Sequence, residues 1–263
     1  MKRILLTGDD GYNAVGTRLL IAALKPHYEL AIVGTKIQQS GVGGYINVTK
    51  TMPWGKTLVD GVPAVWLAGT PADAMEFARQ YFPKPFDLVL SGINMGVNIG
   101  ASLTSSGTYA AAYRALGLGI APHAIAISWA ASFHLLYRNH SGRETIKAYA
   151  AYPGEAVARF VNLAWRNKFW GAQLMNVNLP EKPTAHIRFT RPLLHIYGYW
   201  PPVIIKTKPR TFSYGPGLPK RATNDPSIDA VAVEEGDISV MLATVDMTDE
   251  RAYKKVKGKR IPV

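Results

Sequence analysis

Two carboxylates stand side by side in "LLTGDDGYNAVG", where Asp9 and Asp10 follow an apolar run and precede a helical pattern. Adjacent acids repel, and each raises the other's proton affinity unless a cation or hydrogen-bond donors offset the charge. Two readings follow from the residue types. A divalent cation would neutralise the pair and keep both ionised; without one, Asp10 would cap the next helix and Asp9 would stay solvated. Two further loops bear on the choice. "KIQQSGVGG" and "SGINMGVNIG" follow later apolar runs and supply a hydroxyl and carboxamides, all oxygen donors, with no histidine or thiolate among them. Such a set suits a hard cation such as Mg2+ or Mn2+ rather than zinc. "TSSGT", residues 104–108, adds hydroxyls and a glycine at the start of an alanine-rich helix. A helix N-terminus carries partial positive charge and takes an oxyanion, although the same residues also serve as a plain N-cap. Cation loops and an anion-taking helix start together point to phosphate-ester chemistry.

These loops must be held at one edge of a sheet, and the patterning predicts such a scaffold. "RILL", "LAIVG", "FDLVLSGIN" and "AIAISW" are short apolar runs of strand type, and "AVGTRLLIAALKPH", "TPADAMEFARQYF" and "SSGTYAAAYRALGLG" have helical spacing. In the second helix Thr70 is placed to cap, Pro71 to open the first turn and Asp73 to complement the dipole. Strand and helix alternating in this rhythm predict an α/β fold of parallel βαβ units, its mostly parallel sheet covered by helices on both faces in three layers. In such sheets ligands bind outside the carboxyl ends of the strands, where the acidic pair and both oxygen-rich loops fall. A helix in "GEAVARFVNLAWRN" and strands in "AQLMNVNLP" and "IRFTRPL" continue the pattern. Residues 1–195 are therefore expected to form the core. Residues 196–263 are expected to form an extension, with proline, glycine and aromatics in "GYWPPVIIKTKPRTFSYGPGLPKR" and a β-hairpin turning near Glu235-Gly236 in "IDAVAVEEGDISVMLATV".

Composition narrows the function classes. The chain has 263 residues and is 48% hydrophobic, enough to bury a full core. Lys and Arg outnumber Asp and Glu by 30 to 18, with part of the excess in the tail "RAYKKVKGKRIPV". That balance favours anionic partners, yet no helix-turn-helix or RNA-recognition pattern accompanies it, so specific nucleic-acid binding is not expected. With 0 cysteines, disulfides, thiolate catalysis and cysteine-held zinc are excluded. The N-terminal apolar run breaks after Leu6, too early for a signal peptide, and no run is long enough to span a bilayer; a cytoplasmic protein without membrane association is the expectation.

Competing motifs fail on inspection. "PWGKT" imitates the end of a P-loop, but Lys50 stands where its first glycine belongs. "GVGGYI" has Ile46 where a dinucleotide fingerprint needs glycine, and no "GxSxG" elbow occurs. Adjacent acids also lack the one-residue gap of the "DxD" phosphatases, which makes a phospho-aspartate route the weaker enzymatic reading. Outside enzymes, the rival is a nucleotide- or RNA-binding module that uses the same loops without turnover.

"ILLTGDDGYNAVG", "QQSGVGGYINV", "GTPADAMEFA", "DLVLSGINMGVNIG" and "SSGTYAAAYRA" occur in that order over the first half of the chain, and together they resemble the SurE (survival protein E) family of metal-dependent nucleotidases. "MNVNLP", "IRFTRP" and "VEEGDISVMLATVDMT" resemble its later segments more loosely. The resemblance implies a Rossmann-like core, a C-terminal part used to form a homodimer or tetramer, and hydrolysis of nucleoside 5′- or 3′-monophosphates, an acid phosphatase type of activity. It implies one divalent metal per subunit, Mg2+ or Mn2+, on Asp9, Asp10, Ser40 and Asn94. Asn98, Ser106, Gly107 and Thr108 would line the phosphate site, and Asp9 and Asp10 would be the catalytic carboxylates. The chain departs from the family pattern in four places. Gly8 stands where asparagine is usual, Ala101 and Ser102 follow "NIG" in place of an acid, Ser105 replaces a tyrosine, and no glutamate lies near Arg114. All four metal positions are kept.

Overall fold

In the computed structural model, residues 1–132, 135, 140–194, 204–205, 209–211, 213–214 and 223–260 are described. Most of the "GYWPPVIIKTKPRTFSYGPGLPKR" segment lies outside them, as do the last three residues.

Strand β1, Arg3–Thr7, sits centrally because its side chains are apolar on both faces: Ile4 and Leu6 enter one core and Leu5 the other. It pairs in parallel with β2, Glu29–Thr35, on one side and with β5, Leu88–Met95, on the other. Helix α1, Val15–Leu24, connects β1 to β2. Between β2 and β5 the chain forms β3, Trp54–Val59, and β4, Val62–Leu67, then α2, Pro71–Tyr81. The hairpin β3–β4 turns at Asp60 and Gly61, both at positive φ, which is the backbone an Asp-Gly pair favours between antiparallel strands.

Beyond β5 come α3, Gly107–Gly117, β6, Ala124–Trp129, α4, Ala156–Arg166, and β7, Leu174–Leu179. Strand β8, Ile187–Phe189, follows, and a short antiparallel pair, β9, Ile204–Ile205, with β10, Ser213–Tyr214, forms a separate ribbon. The chain continues through α5, Asp229–Glu234, β11, Ile238–Ala243, and α6, Glu250–Val256. The main sheet has nine strands in the order β3-β4-β2-β1-β5-β6-β7-β11-β8. Neighbours from β4 to β7 are parallel; β3 and β11 run antiparallel to the strands they flank on the inner side. Helices α1 and α4 cover one face and α2 and α3 the other, so the predicted three-layer α/β architecture holds.

One element differs from expectation. Residues 228–245 do not form a hairpin about Glu235-Gly236: Asp229–Glu234 is helical, and only Ile238–Ala243 is a strand. That strand inserts into the main sheet, antiparallel to β7 and parallel to β8. The helix starts where it does because Asp229 accepts the backbone N–H groups of Gly100, Leu193 and Ala230 at 2.7, 3.1 and 2.8 Å, a tertiary anchor that overrides the alternating apolar pattern. The basic tail, expected as a solvated end, carries helix α6 with no buried residue, capped by Asp249. Among the described residues no helix is long and apolar enough to cross a membrane.

Close packing of α1 on the end of β5 depends on Gly16. A Cβ there would lie 1.8 Å from the Ile93 carbonyl oxygen. Gly16→Ala is therefore expected to destabilise the fold by about 3 kcal/mol or more, despite alanine's better helix propensity, as overpacking against rigid backbone does. Urea denaturation checks this through a lowered midpoint at unchanged slope.

Candidate active site

Strand order reverses between β1 and β5: from β1 the chain builds outward through β2 and β4 on one side and through β5, β6 and β7 on the other. The crevice beyond the carboxyl ends of these two strands is the place where an open α/β sheet takes a ligand. Asp9 and Asp10 leave β1 into it, Asn94 reaches it from the end of β5, and α3 starts above it.

Both carboxylates are buried, with Asp9 5% and Asp10 8% exposed. Asp9 Oδ1 accepts the Thr108 hydroxyl at 2.5 Å. Asp10 Oδ2 accepts the Met95 backbone N–H at 3.1 Å, and its Oδ1 accepts Gln38 Nε2 at 3.2 Å. Gln38 Nε2 also lies 2.9 Å from Ser40 Oγ, so this amide bridges a carboxylate on the first loop and the hydroxyl on the second. Asn94 donates through Nδ2 to the Gly96 carbonyl at 2.7 Å, which leaves its Oδ1 as the free end of the amide. The Ser40 loop is tied down along its length: Gln39 N–H to the Asp9 carbonyl at 2.7 Å, Gly43 N–H to the Ser105 carbonyl at 2.9 Å, and Asn47 to Asp73 through both backbone and side chain. Thr70 caps α2 as expected, and Asp73, expected only to complement the dipole, also bonds back to the Thr70 N–H and closes a reciprocal capping box.

Electrostatically the pair is under load. Burial holds the Asp9 carboxyl well above the usual carboxylate range, and the neighbouring Asp10 charge pushes it further; burial raises Asp10 as well, against the donors from Met95 and Gln38. Among the described residues no Lys, Arg or His forms an ion pair with either acid. Nor do any three His, Cys, Asp or Glu side chains gather as a metal-binding group there. A cation at this point would rest on two carboxylates and neutral oxygens, a donor set that fits a hard divalent ion.

The residues expected around a phosphate are brought to the same mouth, with their donors differently engaged. Thr108 is wholly buried and commits its hydroxyl to Asp9, so it holds a carboxylate. Ser106 caps α3 by accepting the Tyr109 N–H at 3.0 Å. Gly107 lies so near Asp9 that a Cβ would approach the Asp9 Cβ to 2.8 Å, which brings the helix start against the acidic pair. Asn98 spends its amide N–H on Ser128 at 2.8 Å. Ser40 is exposed at the rim. Gln38 is the member that sequence reasoning passes over: nothing in "KIQQSGVGG" distinguishes it from Gln39 until the fold turns it to Asp10.

Thr108→Val keeps the volume and removes the hydroxyl that fixes Asp9. Any turnover at this site is expected to fall about 10- to 100-fold, as when a support behind a ligand is lost, and the melting temperature to fall by a few degrees, because the buried Asp9 carboxyl loses a donor. Steady-state kinetics and a thermal scan on the same sample separate the two effects.

An open, largely parallel sheet with buried acids and oxygen donors at its switch point defines a doubly wound α/β protein with a candidate site at its strand ends. The chain belongs to the SurE family: the family model described as Survival protein SurE matches residues 4–198. A 5′-nucleotidase SurE from Hyphomonas neptunium is 33% identical over 263 residues, spanning 97% of this chain and 98% of the relative. A 5′/3′-nucleotidase SurE from Photorhabdus laumondii is 30% identical, spanning 98% and 95%. Among solved structures, the SurE protein from Aquifex aeolicus superposes with a TM-score of 0.72 at 26% identity, covering 97% of this chain and 98% of that one.

Proposed function

We propose that the chain is a divalent-metal-dependent phosphomonoesterase that hydrolyses nucleoside 5′-monophosphates, and 3′-monophosphates as a second class, to nucleoside and inorganic phosphate. The observation that carries this reading is the buried Asp9–Asp10 pair, unpaired by any described cationic side chain and set against the start of α3. Two full-length relatives named as nucleotidases support it.

Asp9, Asp10, Ser40 and Asn94 would hold the ion, Mg2+ or Mn2+. A dication bound there supplies charge neutralisation for the phosphoryl group and lowers the pKa of a bound water. The chain's own residues do the rest. Thr108 holds the Asp9 carboxylate, and Gln38 keeps the Asp10 carboxylate and the Ser40 hydroxyl together. The positive end of α3, at Ser106 and Gly107, favours the dianionic phosphate where it meets the acidic pair, and Asn98 would line the phosphate site with them. The C-terminal residues 196–263, apart from α5 and β11, which belong to the main fold, are proposed to assemble the chain into a dimer or tetramer in the cytoplasm.

A panel of nucleoside 5′- and 3′-monophosphates, read by phosphate release with Mg2+, Mn2+ or EDTA, tests the proposal. Release with metal and none with EDTA is expected. Nucleotide binding without release in any metal would mean a binding module and would overturn the enzymatic reading.

A further inference from the structure

The loop that carries Asn98 is clamped from behind by polar residues sunk into the core. Asn176 and Asn178 share one face of β7, and both are wholly buried, on a strand where leucine or valine would pack without any desolvation cost. Asn178 Oδ1 accepts the Asn98 N–H at 2.8 Å, and its Nδ2 donates to the Asn98 carbonyl at 3.0 Å, a two-point contact like that of a strand neighbour. Asn176 donates to the same carbonyl at 2.8 Å, so that oxygen accepts two amides. The side chain of Asn98 is fixed in turn by Ser128, which sits beside Asn178 on β6. Two residues further on, Asp229 accepts the Gly100 N–H.

One detail argues that this cluster is not there for stability. Asn176 Oδ1 is buried with no hydrogen-bond partner among the described residues, a cost accepted while its Nδ2 is turned to the Asn98 carbonyl. The clamped residues lie on the path from Asn94 to the start of α3, so their backbone sets how the oxygen donors of β5 face the helix start.

We propose that Asn178, aided by Asn176 and Asp229, is a positioning residue for the reaction: it acts through Asn98, by fixing the 98–100 backbone, and never touches substrate. The proposal rests on the phosphomonoesterase reading above for its kinetic consequence, while the clamp itself has a readout independent of turnover.

The experiment is a double-mutant cycle with Asn178→Ala, Asn98→Ala and both together. It is read by kcat/KM for a nucleoside 5′-monophosphate and by hydrogen exchange at the Asn98 and Gly100 amides. Asn178→Ala is expected to lower kcat/KM at least about tenfold and to speed exchange at both amides at least about tenfold. In the double variant the loss in kcat/KM should equal that of Asn98→Ala alone within about twofold: alanine at 98 keeps the main-chain groups that Asn178 grips, but it removes the side chain through which their placement reaches the reaction. Losses that multiply, or an Asn178→Ala protein with wild-type kcat/KM and wild-type exchange, overturn the proposal. If the wild type releases no phosphate, the functional reading fails by itself, and the exchange rates decide the clamp. If Asn178→Ala does not fold, Asn176→Ala, which removes one of the two donors to the same carbonyl, is read against the same expectations.

Discussion

Asp9→Asn is expected to lower metal-dependent kcat/KM about a thousandfold or more, and at the same time to raise the thermal stability of the metal-free protein. The two signs come from one cause. Asp9 is buried beside a second acid with no described cationic partner, so its charge is a liability to the fold in the absence of a cation. Asparagine keeps the volume and still accepts the Thr108 hydroxyl while removing that charge. What it removes from function is a charged oxygen donor at the position where phosphoryl charge must be offset, a loss of the size seen when a preorganised electrostatic contact is deleted. Steady-state kinetics with saturating Mn2+ and a thermal melt in EDTA check both halves. A variant that loses activity and stability together would mean that Asp9 is a structural residue.

Metal affinity is expected to fall steeply with acid, by up to about 100-fold per pH unit once both carboxylates are protonated in the metal-free state. Each folded-state pKa lies above the ordinary 3.8, from burial in both cases and from the neighbouring Asp10 charge at Asp9. A carboxyl raised in this way makes the metal-free fold hold protons more tightly than the unfolded chain. Its contribution to metal-free stability is thus fully present below 3.8 and is lost as pH rises through the folded value. Metal binds the deprotonated pair and reverses the trend. The rise in melting temperature on adding Mn2+ should therefore be larger at pH 8 than at pH 5, and titration calorimetry near neutral pH should detect proton release, seen as a dependence of the heat on buffer ionisation enthalpy. A metal-induced shift that is the same at both pH values would contradict it.

Much of this follows from local chemistry that the sequence displays. The parallel core is readable because each of its strands is a short apolar run and α2 and α3 carry their own caps, Thr70 with Asp73 and Ser106. The acidic pair is readable because like charges side by side at the end of a strand call for a counter-charge or a cap. The edge hairpin β3–β4 escapes the sequence reading, although Asp60-Gly61 marks its turn, because its strands carry too little apolar alternation to stand out. What else escapes is set by long-range contact. Ile228 to Val233 alternates like a strand yet forms a helix, because Gly100 and Leu193 supply donors to Asp229 from distant parts of the chain. Thr108 reads as a phosphate contact at a helix start, and only the fold shows its hydroxyl on Asp9. Asn176 and Asn178 read as polar residues in a strand, and their partner is 78 and 80 positions away.

The site stands or falls on whether the acidic pair holds the ion that turnover needs. The decisive measurement is Mn2+ titration into chelator-treated protein at pH 8, with phosphate release from a nucleoside 5′-monophosphate followed in the same samples, for the wild type and for Asp10→Asn. Activity in the wild type should rise in step with occupancy of one site per chain, and the variant should show neither tight binding nor turnover. Phosphate release that survives exhaustive chelation, or that persists in Asp10→Asn at wild-type rates, would contradict a reaction built on Asp9 and Asp10.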